Sequence, residues 1–214
     1  MEIRFGERPL AQTTAAAAGL RRLIGLLLSQ EHPHPVLDDM LARFPEWERE
    51  LAATAPADPA PRVGPDDDPD RRIYLDHAFD IGGYNPCFPE YRFDTVNSEA
   101  AVGRVTFPVA YEGPPGLVHG GFLGVFFDCV VQQHSCAVGL TGKTRSLAIR
   151  YRRPTPILTE LGFEITRTVG ESGVESAAAL LHDGEVLCRA EVATVAAATA
   201  RLTGATYGKR RVRG

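Results

Sequence analysis

Cysteine is scarce in this sequence, which has four in 214 residues and no two of them at a CxxC spacing. The four are Cys87, Cys129, Cys136 and Cys188, and their apolar surroundings are typical of buried, reduced thiols. A structural disulfide or a zinc site is a less favoured alternative, because the spacings match no ligand pattern. We therefore expect no metal, no cofactor and a reducing, cytoplasmic compartment.

Long uninterrupted apolar runs are also missing. The most apolar stretch, near Phe122 to Val131, is broken by Asp128 and is followed by the polar run QQH, so it falls short of the about 18 residues that cross a bilayer. The earlier stretch AAAAGLRRLIGLLL is interrupted by two arginines and preceded by acids, which argues against a cleaved targeting signal. We expect no association with a membrane.

An excess of positive charge is absent as well. The formal net charge is −4 and the sequence pI is about 5.9, so no basic field favours nucleic acid or anionic lipid. A small-molecule ligand fits this balance better. Basic residues are concentrated only in the tail, residues 201–214, which is either a solubilising end or lies near the phosphates of a nucleotide-bearing ligand.

The chain divides into four predicted parts. Residues 1–54 form a helical extension, because apolar residues recur at three- and four-residue spacing from Thr13 to Gln30 and again from Leu37 to Leu51. We expect Pro45 to kink or divide the second helix. Residues 55–71, rich in proline and aspartate, form a linker; residues 72–200 form the main domain and residues 201–214 the basic tail.

The main domain contains strand patterns on both sides of a single helix pattern. The turn signals Ser172-Gly173 and Asp183-Gly184 predict an antiparallel meander. From Gly120 to Val138 the apolar residues occupy the whole circumference, which predicts a helix buried on all sides by a sheet and hence an α+β fold. Strands are predicted at Tyr91–Val96, Ala101–Val109, Ser146–Arg152, Thr159–Val169, Gly173–Leu181 and Glu185–Ala198.

Asp128 is the only formally charged residue between Gly121 and Gly142. Burying an unpaired carboxylate costs several kcal/mol, so we expect Asp128 to have hydrogen-bond partners or a chemical role. The alternative is an aspartate exposed on a frayed helix face.

The segment EGPPGLVHGG precedes this predicted helix and places His119, Gly120 and Gly121 at its positive end. The glycines lack side chains, so a ligand could reach backbone N–H groups there, and an oxyanion of acyl transfer would be stabilised. His119 and Asp128 are nine residues apart, which is roughly 13 Å along a helix axis. We therefore expect a homodimer in which antiparallel helices bring His119 of one chain near Asp128 of the other.

The runs GPPGLVHGGFLGVFFD and TRSLAIRYRRPTP resemble the hotdog-fold acyl-CoA thioesterases of the phenylacetate-pathway type and their animal thioesterase-superfamily relatives. The resemblance covers roughly Tyr74 to Ala198. It implies a hotdog fold, an antiparallel sheet wrapped around a long central helix, which agrees with the independent prediction from the strand and helix patterns.

The resemblance also implies roles for individual residues. Asp128 matches the acidic catalyst, acting as general base or as nucleophile, and Thr144 matches a water-positioning hydroxyl. His119 matches the motif histidine near the thioester. Gly121 N–H matches the oxyanion donor, with Gly120 beside it.

The same resemblance places coenzyme A near the ends of the strand that follows the helix. Arg145, Arg152 and Arg153 are the candidates for its phosphates, since a planar guanidinium donates two hydrogen bonds. Solvated strand-end arginines are the alternative. The sequence departs from many relatives at Gly113, where they carry an asparagine, and in its helical and linker extension.

We therefore expect an acyl-CoA thioesterase that hydrolyses a fatty-acyl- or aryl-CoA thioester as a dimer or a dimer of dimers. The alternative is a non-catalytic hotdog module that binds acyl-CoA. A hotdog dehydratase would need a histidine close behind the acid, and His134, six residues after Asp128, matches this poorly.

Overall fold

The structure is a computed structural model that describes residues 7–55, 62–63, 70, 72–74, 81–137, 142–171 and 173–196. The helices are α1 (Ala11–Leu28), α2 (Pro35–Thr54), α3 (Ile81–Tyr84) and α4 (Gly120–Ala137). The strands are β1 (Glu7–Arg8), β2 (Arg62–Val63), β3 (Ile73–Tyr74), β4 (Tyr91–Val96), β5 (Ala100–Thr106), β6 (Gly142–Tyr151), β7 (Glu160–Gly170), β8 (Gly173–His182) and β9 (Glu185–Ala196). Most of the predicted linker and all of the basic tail lie outside the described residues.

The predicted helical extension forms two helices. The side chain of His34 caps α2 by accepting a 3.2 Å hydrogen bond from Val36 N–H, and α2 then continues through Pro45 to its end. The prediction that Pro45 divides this helix is wrong, because a proline removes a single backbone bond and the neighbouring turns carry the helix across it. Helix α1 docks on the domain through Ala17 and Arg21, which are both buried.

Six strands form one antiparallel sheet in the order β4-β5-β7-β8-β9-β6. The predicted meander of β7, β8 and β9 is confirmed. Its last hairpin turns at Asp183 and Gly184 with φ of 49° and 80°, the positive angles that a two-residue turn with the twist of the sheet requires. The preceding strand, β6, joins at the far side of β9 and forms an edge of the sheet.

The second strand of this sheet is shorter than predicted. The alternating pattern predicts a strand to Val109, but β5 ends at Thr106, and Val109–Tyr111 form a turn of 3-10 helix instead. The reason is Pro108, which has no N–H to continue a strand ladder. Its carbonyl accepts a 3.0 Å hydrogen bond from Tyr111 N–H and closes the turn.

The long helix α4 packs one face against this sheet. Phe107, Phe126 and Phe163 meet edge to face at ring-centroid distances of 5.4 to 5.5 Å and are fully or almost fully buried. The opposite face, with Val125, Asp128 and Gln132, is only partly covered. The prediction that the helix is buried on all sides is therefore wrong for a single chain, because one sheet covers one side of a helix.

The cysteines also differ from expectation at one position. Cys87 is exposed, whereas Cys188 is fully buried and Cys129 and Cys136 are partly buried. The exposure of Cys87 follows from its place in a turn, where its N–H donates to the side-chain oxygen of Asn85 at 3.1 Å. None of the four described cysteines forms a disulfide, and burial raises the pKa of Cys188 to about 12.

Candidate active site

Asp128 and Thr144 are joined directly. The Thr144 hydroxyl donates to Asp128 Oδ1 at 2.5 Å, and this bond links the middle of α4 to the start of β6. Both side chains are partly buried at the face of α4 that the sheet leaves open. The acid predicted from the sequence thus has the partner that its burial demands.

A bulge in β6 turns Thr144 toward the helix. Leu147 and Ile149 point at α4, where a Cβ on Gly124 would meet their methyl groups at 3.9 and 3.6 Å. Strict alternation would then turn Thr144 to the outer face. The pairing with β9 shifts between Thr144 and Ser146, so one residue is inserted and the phase of the side chains reverses.

Gln132 is a third member of this cluster that sequence reasoning did not single out. Its side-chain Nε2 donates to Thr144 Oγ1 at 2.7 Å. Gln132 lies four residues after Asp128, and that spacing places both side chains on one face of a helix. The spacing was therefore the available signal.

The start of α4 holds the predicted histidine and glycines together. His119 precedes the helix, and its Nδ1 accepts the N–H of Gly121 at 3.0 Å, as an N-cap side chain does. An accepting Nδ1 carries no proton, so a neutral His119 holds its proton on Nε2 and presents it as a donor. The Gly121 N–H, predicted as the oxyanion donor, is occupied by this bond.

Gly120 has a different environment. Among the described residues none accepts its N–H, while its carbonyl accepts the Tyr151 hydroxyl at 2.9 Å. A side chain at this position would meet Tyr151 Oη at 3.0 Å. Tyr151 therefore lines the start of α4, which the sequence reading did not anticipate.

The departure at Gly113 is explained by contact with the histidine. A Cβ at this position would lie 2.8 Å from His119 Cβ and 2.9 Å from its Cα, closer than real contacts allow. Gly113 N–H also donates to Leu117 O at 2.9 Å, which closes the turn before the helix. His119 therefore occupies the space that a side chain at position 113 would need.

The two halves of the predicted site do not meet within one chain. His119 stands at the first turn of α4 and Asp128 in its middle, and the helix between them is continuous. Nine residues at about 1.5 Å each separate them by roughly 13 Å.

The three candidate arginines are all exposed. Arg145 pairs with Glu175 at 3.3 Å and Arg153 with Glu185 at 3.2 Å, contacts that are weak at such exposure. The backbone N–H groups of Arg152 and Arg153 both donate to Leu187 O at 2.9 Å, which holds the chain after β6 against β9.

His134 lies apart from the acid. It is fully buried, and its Nε2 lies 2.8 Å from the carbonyl oxygen of Asn97, in the turn between β4 and β5. Burial lowers the pKa of His134; the hydrogen bond to Asn97 opposes this and the charge of Arg167 adds to it. His134 contacts the β4–β5 turn at one edge of the sheet, whereas Asp128 contacts Thr144 of β6 at the other edge, so the arrangement does not match a dehydratase pair.

The described residues contain no cluster of three or more histidine, cysteine or acidic side chains that could hold a metal ion. None of the described helices is both long and apolar enough to cross a membrane.

Comparisons with known proteins bear on the fold. No protein-family model matches the chain, and no curated protein matches its sequence. A crystal structure of a thioesterase superfamily protein aligns with a TM-score of 0.70 and 23% identity, over 91% of this chain and all (100%) of that one. The hotdog fold predicted from the sequence is therefore confirmed, and the similarity extends beyond the main domain.

Two further solved structures are similar over about half of the chain. A hypothetical thioesterase with coenzyme A from Streptococcus pneumoniae has 17% identity and a TM-score of 0.47, covering 50% of this chain and 88% of its own. A thioesterase related to phenylacetic acid degradation, from Ralstonia eutropha, has 21% identity and a TM-score of 0.46, covering 49% and 83%. The fold assignment rests on the first, longer match.

Proposed function

We propose that this protein is an acyl-CoA thioesterase that hydrolyses a fatty-acyl- or aryl-CoA thioester. The observation that carries the proposal is the Asp128–Thr144 hydrogen bond of 2.5 Å on the open face of α4. A partly buried carboxylate, oriented by a hydroxyl and facing a surface that its own sheet leaves open, suits an acid/base group that meets a ligand.

In this reaction Asp128 acts on water as general base or attacks the thioester carbonyl as nucleophile. Negative charge then develops on the carbonyl oxygen. Donors for that oxyanion stand at the start of α4, where Gly120 N–H and the proton on His119 Nε2 add to the positive end of the helix. Gly121 N–H can join them only if His119 releases it.

Both parts of the site must come together for this chemistry, and we propose that a second copy of the chain brings them together. Antiparallel packing of two α4 helices would place His119 of one protomer near Asp128 of its partner. The open face of α4 and the edge strand β6 support such an association, since each offers a surface that the single chain leaves uncovered.

Coenzyme A is proposed to lie along β6, with Arg145 near the start of the strand and Arg152 and Arg153 just after its end. Arg152 has no ion-pair partner among the described residues, whereas Arg145 and Arg153 would exchange exposed glutamates for phosphates. Those exchanges cost little free energy, because an exposed ion pair contributes only about 0 to 1 kcal/mol to stability.

The first test is release of free thiol from a panel of acyl- and aryl-CoA thioesters, with Asp128→Asn alongside. The wild type is expected to turn over at least one class, and Asp128→Asn is expected to lose about 100-fold or more in kcat. Wild-type turnover that Asp128→Asn leaves intact would contradict the assignment of the acid.

A second test addresses the shared site. Asp128→Asn and His119→Ala chains, each inactive or weak alone, are unfolded together, refolded and assayed. If the site spans two protomers, random pairing restores about a quarter of the wild-type rate, because half of the dimers carry one intact site. A site within one chain would restore nothing.

A non-catalytic acyl-CoA-binding module is the second candidate. The observation that favours it is the occupied Gly121 N–H, which leaves the predicted oxyanion donor bonded to His119 at 3.0 Å. Tight binding of acyl-CoA, measured by calorimetry, without hydrolysis of any thioester would support this candidate over the enzyme.

A further inference from the structure

We propose that Gln132 is a positioning residue that fixes the direction of the Thr144 hydroxyl and thereby sets how the attacking water is held. The inference deepens the proposed thioesterase function and rests on it for the role of the water. Its basis is the pair of short hydrogen bonds in which Thr144 takes part, from Gln132 at 2.7 Å and to Asp128 at 2.5 Å.

The direction of these bonds follows from the inventory of protons. A threonine hydroxyl has one proton to donate, and an ionised carboxylate can only accept. The proton of Thr144 therefore points to Asp128 Oδ1. Gln132 must then present its NH2 group to the hydroxyl, because its carbonyl oxygen would meet an oxygen with no proton left to share.

A consequence concerns the second oxygen of the acid. With Oδ1 engaged by Thr144, Oδ2 is the oxygen of Asp128 from which a water can be deprotonated. Thr144 Oγ1, already a donor to Asp128 and an acceptor from Gln132, has one lone pair left. A water at this site can only donate to both groups, and its own lone pair is then free to face the thioester carbon.

The step balances in atoms and charge. The water oxygen forms a bond to the carbonyl carbon, its proton passes to Asp128 Oδ2, and the carbonyl π electrons move to the oxyanion. When that intermediate collapses, the C–S bond breaks and the leaving thiolate of coenzyme A takes the proton from Asp128. Gln132 takes part in neither transfer, since it acts through Thr144.

The chain offers a matched control one residue further along α4. Gln133 has the same side chain but faces the sheet, where its Oε1 accepts the Tyr91 hydroxyl at 2.5 Å. Gln132→Met and Gln133→Met remove the same amide from neighbouring positions whose side chains have different partners, so only the first removes a donor from Thr144.

The experiment combines steady-state kinetics with proton NMR of the Thr144 hydroxyl. We expect Gln132→Met to lower kcat about tenfold with KM changed by less than about twofold, because the lost bond orients the water rather than the substrate. Gln132→Glu, which cannot donate when ionised, is expected to lose at least as much. Gln133→Met is expected to retain kcat and to lower only the melting temperature.

The NMR readout does not depend on turnover. A hydroxyl that both donates and accepts exchanges slowly, so its proton is expected to be visible in the wild type and in Gln133→Met. In Gln132→Met the hydroxyl becomes a weaker donor to Asp128, so its resonance is expected to move upfield and to exchange faster with water. An unchanged resonance in Gln132→Met, or a wild-type kcat in that variant, would overturn the inference. A wild type that hydrolyses no thioester would remove the proposed function, while the resonance would still decide whether Gln132 orients Thr144.

Discussion

The Thr144 hydroxyl lies 2.5 Å from Asp128 Oδ1 and connects the edge strand of the sheet to the middle of the central helix. The bond gives a partly buried acid its partner on the face of α4 that the sheet leaves open. The same hydroxyl receives Gln132, so the acid, the hydroxyl and the amide form one polar cluster.

Removing the hydroxyl tests this cluster with little change in shape. We expect Thr144→Val to lower kcat about 10- to 100-fold, because Asp128 loses the donor that orients it. Thr144→Ser retains the hydroxyl and is expected to stay within about fivefold of the wild type. Thiol-release kinetics on the best thioester measure both variants, and equal activity of Val and Ser would argue against the role of the hydroxyl.

The two roles of His119 can be separated by substitution. Asparagine can still cap Gly121 N–H with its side-chain oxygen, whereas alanine cannot, so His119→Asn is expected to keep the wild-type stability and His119→Ala to lose about 1 kcal/mol. Both lose the donor on Nε2, and both are expected to lose kcat about 10-fold or more. Urea unfolding and turnover measured on the same preparations check this, and retention of full activity in His119→Asn would assign the histidine a capping role alone.

The close contact between Gly113 and His119 predicts that even alanine is costly there. The added Cβ would lie 2.8 Å from His119 Cβ, and we expect Gly113→Ala to lower the free energy of unfolding by about 1 to 3 kcal/mol. Gly162→Ala is the matched control, because a Cβ at Gly162 meets nothing within 4 Å. Equal stability of the two variants in urea would show that the turn yields without strain.

Burial of His134 predicts a loss of stability in weak acid. The pKa of His134 is lowered in the folded chain, mainly by burial, so below its ordinary value of 6.5 the unfolded chain binds a proton that the folded chain does not. Stability is therefore retained above about pH 6.5 and falls as the pH drops below it, by at most about 1.4 kcal/mol per pH unit. The free energy of unfolding is expected to differ more between pH 7.5 and pH 5.5 in the wild type than in His134→Gln. An equal loss of stability in both proteins would contradict the role assigned to His134.

Local patterns predict much of this fold because their physical causes are local. The alternation of β4 gives its bounds, Tyr91–Val96, and the Asp183-Gly184 pair gives the hairpin, since residues that tolerate positive φ favour that turn. A single acidic residue in an apolar helix likewise predicts a hydrogen-bond partner for its carboxylate, because the packed helix buries it.

Two features differ from the sequence prediction for different reasons. The end of β5 followed from Pro108, a local breaker that the alternating pattern concealed. The open face of α4 depends on how many layers of structure pack around the helix. The apolar composition of the helix does not predict that number.

The placement of the acid's partners depends on strands that are distant in sequence. A period of two assigns Thr144 to the outer face of β6 with Ser146 and Ala148, and only the shifted pairing with β9 turns it toward Asp128. The amino-acid order therefore specifies the helix, the acid and the hairpins through short-range sterics and burial. Strand register, the bulge and the cluster of Asp128, Thr144 and Gln132 arise when remote backbones pair, because that pairing energy is shared between segments that no local window contains.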